Sequence, residues 1–211
     1  MSVLKVLTEN ATAHAKGFVA EQVVTYSLAQ EYKKQGYLFC LRLINHTNEK
    51  TNRDADDAEL YSMMSNLSGG SGLSVMPLFK VPAVIEDRSG TWGDIRAAIN
   101  ELRRSGFPKN ITVWLDEKSV QDYLTLNSNS DSAKELRDNW VRALNEAGYS
   151  VGYYFGNMEG YACPPTNIGK NTVLEAVDCG SSSSSSTMKT ISIGDNAGSC
   201  KIRWAFLPAG Q

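Results

Sequence analysis

The sequence predicts an α/β protein built on a (β/α) barrel of the TIM type, irregular or incomplete, with a C-terminal β-hairpin. Three observations lead there. Amphipathic helical stretches and short apolar, β-branched stretches take turns along the first three quarters of the chain. Four of the helical stretches stop at a glycine followed by an apolar residue that opens a strand: Gly36-Tyr37, Gly72-Leu73, Gly106-Phe107 and Gly148-Tyr149. Strand starts at 37, 73, 111 and 150 are 36 to 39 residues apart, which suits one βα unit each, since a helix is needed to bring a parallel strand back into register.

Taken in order, Gly17 to Ala20 is a candidate first strand, preceded by only a scrap of apolar sequence before Thr8. Glu21 to Gln35 reads as a helix with Val24, Leu28 and Tyr32 on one face and Lys33-Lys34 in its last turn, where cations suit the dipole. Tyr37 to Ile44 (YLFCLRLI) is apolar on both alternations apart from Arg42, as expected of a strand with helices on one side and a packed interior on the other. A polar loop, Asn45 to Arg53, leads to a helix capped by Asp54 or Asp56 and carrying Leu60, Met63, Met64 and Leu67. In the next strand, Leu73 to Phe79, Pro77 removes a ladder donor and is expected at the strand's end rather than its middle. A helix over Asp94 to Arg104 follows, with Thr91-x-x-Asp94 resembling a capping pair.

Ile111 to Leu115 is the central strand and ends abruptly in Asp116-Glu117. Val120 to Leu126 is a candidate short helix. Ser132-x-x-Glu135 is a capping box opening the clearest helix, whose stripe of Leu136, Trp140, Ala143, Leu144 and Ala147 opposes a charged face. Tyr149 to Phe155 is the next strand. The last quarter breaks the rhythm: a loop from Asn157 to Asn171, a short strand from Thr172 to Val177 ending in Asp178, and a serine-rich loop over 181–187, expected to be exposed. Lys189 to Ile193 and Lys201 to Leu207 are expected to pair as the closing hairpin.

Residues 1–211 are enough for one sizeable core and read as a single domain. With 21 Lys+Arg against 23 Asp+Glu the net charge is -2, so the basic excess required by a nucleic-acid or anionic membrane surface is missing. No apolar run has the length of a membrane span. The opening residues lack the h-region of a secretory signal, so the expectation is a soluble chain, cytoplasmic as synthesised and released by lysis or by a leaderless secretion or injection route.

Neither a metal nor a cofactor is expected. Gly69-Gly70-Ser71-Gly72 lies between a helix and a strand, the reverse of a phosphate cradle, and Gly169-Lys170-Asn171-Thr172 lacks the Ser/Thr directly after the lysine. Cys40, inside a strand, is expected to be an inert buried thiol. Cys163, Cys179 and Cys200 allow one disulfide and match no zinc spacing. His14 and His46 read as surface residues; His46 lies roughly 18 Å along an extended chain from Cys40, too far to serve as its base.

Polar residues gather at the carboxyl ends of the expected strands, where parallel α/β proteins place their chemistry. They are Glu21, Arg42, Asp116, Glu117, Tyr154 with Asn157, and Glu175 with Asp178. Glycoside cleavage needs a protonated acid for the leaving oxygen and a second carboxylate as base or nucleophile, with aromatic rings to hold sugars. Asp116 or Glu117 is the candidate central carboxylate, Glu21 or Glu175 its partner. Tyr154 and Trp204 are candidate platforms, and Arg42, Asn157 and Asp178 candidate substrate contacts. Two plainer roles stand beside these: Asp116 as the cap of a helical turn, and Arg42 as the ion-pair partner of one of these acids inside the barrel.

Through GYLFCLRLI, GLSVMPLF, ITVWLDEKS and AGYSVGYYFGN the chain resembles the glycoside-hydrolase-like TIM-barrel domains related to family 25 lysozymes, over Lys16 to Asn157. The most specific pieces are Val113-Trp114-Leu115-Asp116 and Ala147 to Tyr154. The resemblance implies a (β/α) barrel, some relatives of which cut the sugar backbone of peptidoglycan. It also implies two acidic stations. One is an Asp soon after an opening Gly-Phe, where this chain has Val19 and the nearest acid is Glu21. The other is an Asp-x-Glu at the end of the central strand, where Asp116 matches, Lys118 stands in the Glu position and Glu117 comes one residue early. The expected partner is therefore a polysaccharide or peptidoglycan, met either by a hydrolase or by a catalytically degenerate barrel that binds glycan or serves in assembly.

Overall fold

The computed structural model describes residues 5–44, 57–67, 71–81, 90–127, 131–154, 177–178, 189–193 and 202–210. Along them run β1 (Leu7–Asn10), β2 (Lys16–Ala20), α1 (Tyr26–Lys34), β3 (Phe39–Leu43), α2 (Asp57–Met64), β4 (Ser74–Phe79) and α3 (Gly90–Arg104). Then come β5 (Thr112–Asp116), α4 (Glu117–Asn127), α5 (Asp131–Glu146), β6 (Ser150–Tyr154), β7 (Val177–Asp178), β8 (Lys189–Ile193) and β9 (Arg203–Phe206). Strands β2 to β6 lie side by side in chain order, all parallel, with helices between consecutive strands. Among the described residues β6 pairs with β5 alone, so the sheet is a curled, open half-barrel.

The glycine-apolar pairs stop their helices by one mechanism. Gly36, Gly106 and Gly148 have φ of 86°, 79° and 94°, a left-handed conformation that glycine adopts without strain. The next amide then turns back to the helix: Tyr37 N–H donates to Tyr32 O (3.1 Å), Phe107 to Leu102 (3.0 Å) and Tyr149 to Leu144 (2.9 Å). This bond, with the burial of the aromatic ring that follows each glycine, is the Schellman arrangement. At the other end of α1, Thr25 caps the helix by accepting a hydrogen bond from Leu28 N–H at 3.3 Å. That cap puts the start of α1 at Tyr26 rather than Glu21.

Alternation along the parallel strands divides the core in two. Phe18, Cys40, Val75, Phe79, Val113, Leu115, Val151 and Tyr153 face the helices and pack with Ala29, Met63, Ile95, Leu102, Leu136 and Trp140. Val19, Phe39, Leu41, Met76, Leu78, Trp114 and Tyr154 line the concave face with Ile191, Ile193, Ile202 and Trp204. The concave interior is filled rather than hollow. Phe39 lies over Gly17 and Trp114 over Gly152, so that a Cβ at either glycine would come within 2.3 Å and 2.7 Å of the ring, respectively. The Trp114 indole N–H points at Met76 Sδ, 3.2 Å away.

Three expectations are corrected. Lys189–Ile193 and Arg203–Phe206 do not form a hairpin: β8 pairs antiparallel with β2 and β7, whereas β9 pairs antiparallel with β1 and with β4. Antiparallel strands thus attach to the half-barrel at two separate places, and the N-terminal segment, apolar in scraps only, becomes a strand through its pairing with β9. Pro77 sits inside β4, opposite Arg42 of β3. Ser74 N–H bonds to Leu38 O and Leu78 O to Ile44 N–H, so the even residues of β4 bond to β3 and Pro77 turns its missing donor to the other edge. There β4 changes partner, from β9 at Val75 to β5 at Leu78, and no ladder bond is lost.

Cys40 is fully buried, and burial drives its thiol pKa upward, as an inert thiol requires. His46, the other three cysteines and the serine-rich loop lie outside the described residues. Among the described residues no helix is long and apolar enough to cross a membrane.

Packing of Trp114 against a bare backbone gives a direct test. Gly152→Ala is expected to lower stability by about 1–3 kcal/mol, the usual cost of overpacking, measured from the urea midpoint. The loss should shrink in a Trp114→Leu background, because the clash is pairwise.

Candidate functional site

The alternation that sorts the core continues one layer beyond it. Two residues past Val19, Leu41, Leu78 and Trp114 on the concave face come Glu21, Leu43, Lys80 and Asp116, and two past Gly152 comes Tyr154. These five positions ring the carboxyl ends of β2 to β6. Continuing the β4–β5 register one pair past Phe79 and Leu115 sets Lys80 opposite Asp116, and Tyr154 is the register partner of Asp116 on its other side.

A short chain of contacts ties this rim together. Lys80 Nζ lies 2.6 Å from Glu21 Oε1 and 3.9 Å from Asp116 Oδ2, so the two carboxylate oxygens are within about 6.5 Å of one another. Asp116 Oδ1 accepts the Lys118 N–H at 3.1 Å, which fulfils the capping role expected of an Asp at a strand-to-helix turn. The Ser119 hydroxyl donates to the Asp116 carbonyl oxygen (2.6 Å) and accepts the Val81 N–H (2.8 Å). One hydroxyl therefore clamps the end of β4 to the end of β5 and holds Lys80 beside Asp116.

The two acids differ in surroundings. The Glu21 side chain is 45% exposed and that of Asp116 only 10%. Burial raises the Asp116 pKa above its ordinary value; the Lys80 ammonium and the Lys118 amide pull it back, and Glu21 pushes it up further. Asp116 is thus the carboxyl of the pair inclined to keep a proton, and Glu21 the one open to solvent. No three His, Cys, Asp or Glu side chains converge among the described residues, and Lys80 fills the space between the acids.

Other candidates fall elsewhere. Glu117, one residue after Asp116, faces the helices instead of the rim: it is 1% exposed, pairs in two-pronged fashion with Arg137 of α5 and accepts a bond from Gln121. Arg42 is also on the helix side and fully buried. Its Nε lies 2.7 Å from Glu59 Oε1, a second N–H reaches Oε2 at 3.1 Å, and a third donates to Leu43 O at 2.8 Å. The ion pair expected for Arg42 thus exists, but its partner is Glu59 of α2, outside the barrel interior. Neither Glu117 nor Arg42 has a surface that a substrate can meet.

Tyr154 is on the rim but largely buried, so its ring belongs to the apolar wall beside Asp116. Trp204 belongs to the opposite end, tilted against Phe39 with its indole N–H on Glu9. Asp178 sits on the outermost strand opposite Ser192, which pairs with Lys16 at the start of β2, likewise away from the rim. Asn157 and Glu175 lie outside the described residues. Lys80 is the rim residue that the sequence reading passed over. Its signal was the alternation Met76, Leu78, Lys80, carried one step past the end of the strand.

Two stability measurements separate scaffold from site. Arg42→Met should cost about 3–5 kcal/mol by chemical denaturation, since it strands Glu59 as a buried charge, whereas Glu21→Gln should change stability by less than about 1 kcal/mol because its ion pair is solvated. Asp116 adds a pH signature. A carboxyl whose folded pKa is raised loses stability as pH climbs from the ordinary value, 3.8, through the raised one. Asp116→Asn removes that loss, so its unfolding midpoint should gain on wild type as pH rises above the ordinary carboxyl value.

No protein-family model matches the chain, and no curated protein matches it. Among solved structures, that of an uncharacterized B. stearothermophilus protein is similar at 22% identity, covering 66% of this chain and 60% of that one with a TM-score of 0.45. The chain spans less than two thirds of that protein's length.

Proposed function

We propose that the chain is a glycoside-hydrolase-like protein acting on a cell-wall glycan, peptidoglycan being the substrate to test first. Asp116 is its general acid and Glu21 its second carboxylate. The observation that carries the reading is the bridged pair: two carboxylates from distant strands meet the same Lys80 ammonium, which keeps their facing oxygens no more than about 6.5 Å apart, where glycoside hydrolysis uses two carboxyl groups roughly 5 to 10 Å apart. Their unlike environments supply the second requirement, one carboxyl disposed to hold a proton and one to be charged. With the concave interior filled, a ligand meets the rim alone, which suits a chain lying across the mouth better than a small molecule bound within. Glu117 and Arg42 take no part, and Trp204 and Asp178 stand at the far end.

The fold reading that accompanies this is an irregular, incomplete TIM-type barrel. Five parallel strands in chain order with intervening helices follow the order of that fold, and the departure is the antiparallel attachment of β8 and β9.

A second reading has its own support. Val19 and Lys118 occupy the positions where the family resemblance places acids; Val19 is packed in the concave apolar cluster and Lys118 pairs with Asp122 on the surface. A barrel so altered can hold glycan, or serve in assembly, without cutting it.

Clearing of a purified cell-wall suspension decides between them. Wild type should clear it, Asp116→Asn and Glu21→Gln should each lower the initial rate by about 10²-fold or more, the scale of general acid–base catalysis, and Asp122→Asn should match wild type. Wild type that sediments with the walls without clearing them supports the binding module. Clearing that survives both substitutions removes this site.

A further inference from the structure

Lys80 stands between the rim carboxylates at unequal distances, 2.6 Å from Glu21 and 3.9 Å from Asp116. At the shorter distance an ammonium makes a charge-assisted hydrogen bond; at the longer it acts through its charge alone. The lysine is itself well placed, because the next residue, Val81, is bonded through the Ser119 hydroxyl to the Asp116 carbonyl. It comes from the strand opposite Asp116 and from the layer that faces the mouth, so its position follows from the sheet and not from a chance surface contact.

We propose that Lys80 is a positioning residue that divides the work of the two acids: it anchors Glu21 as the anion of the pair and, from longer range, keeps the proton on Asp116 loose enough to transfer. The proposal rests on the hydrolytic reading of this rim and deepens it. Lys80 touches no reacting atom in it and acts through the two carboxylates. Among the described residues the groups that face Asp116 are Glu21 after β2, Lys80 after β4, the backbone amides of Lys118 and Ser119 in α4, and Tyr154 at the end of β6. Arg42, Glu59, Glu117 and Arg137 stand behind the sheet. Of the side chains facing Asp116, Lys80 carries the positive charge, in line with burial raising the Asp116 pKa and Lys80 lowering it.

The test is a carboxyl-carbon NMR titration of Asp116 in the full chain, in wild type, Lys80→Met, Lys80→Gln and Lys80→Arg. Both neutral variants should raise the Asp116 midpoint by about one pH unit, the low end of what an opposite charge at this range supplies, and Lys80→Arg should return it most of the way. In cell-wall clearing, the alkaline limb of the rate profile marks loss of the Asp116 proton, so it should move upward with that midpoint in the neutral variants, with kcat reduced more than KM is changed. An Asp116 midpoint that stays put in folded Lys80→Met and Lys80→Gln overturns the proposal even if walls are cleared. Failure of wild type to clear walls overturns the hydrolytic reading instead, and the titration still decides whether Lys80 governs Asp116.

Discussion

A strand covered on both sides must commit every residue to one face, and parallel strands held in register commit them in layers. That constraint organises this molecule. Apolar side chains fill successive concave layers from Phe39 and Trp204 at the base through Leu41, Met76, Leu78 and Trp114, and the layer after these is where the strands run out and polar groups begin. Glu21 continues the concave side of β2 past Val19, Lys80 that of β4 past Leu78 and Asp116 that of β5 past Trp114, and Lys80 reaches both acids. A slip of one residue in β5 would exchange Asp116 and Glu117 between rim and helices and undo both the acid pair and the Glu117–Arg137 contact.

Charge is handled differently on the two sides. Facing the helices, the buried charges Arg42, Glu59 and Glu117 are ion-paired, Arg42 with Glu59 and Glu117 with the part-buried Arg137, and each pair has further hydrogen bonds, as charges withdrawn from water must be. Glu59 also accepts the Val24 N–H at 2.7 Å, so this internal pair steadies the turn that carries Glu21. At the rim the pairing is partial: Glu21 and Lys80 are half open to water, while Asp116 is enclosed and meets its cation only at long range. Such an arrangement contributes little to folding. Residues that break the apolar pattern without stabilising the chain are what functional sites look like in physical terms.

Much of this was legible beforehand because it is local. The glycine and aromatic residue that end α1, α3 and α5 form a bonded motif within six residues, and the two-sided apolar composition of β3 to β6 states their burial directly. Asp116 was legible as the residue where the central strand stops. What failed to show depends on pairing between distant segments. Trp204 looked like a sugar platform until β9 was seen to pair with β1 and the start of β4, at the base. Lys80 was hidden because the strand seemed to end at Phe79, and Pro77 looked misplaced because the change of partner along the edge of β4 is not written near it.

The amino-acid order alone determined the alternation of helices and strands, the stops between them and the presence of acids at strand ends, since each depends on periodicity, turn conformation or backbone bonds within a few residues. The three-dimensional arrangement decided which acids face one another. Register turned Asp116 inward and Glu117 outward, β4 brought Lys80 between Asp116 and Glu21, and the curl of the sheet set Trp204 at the other end. Those outcomes follow from hydrogen bonding between strands tens of residues apart, and short-range pattern carries no information about them.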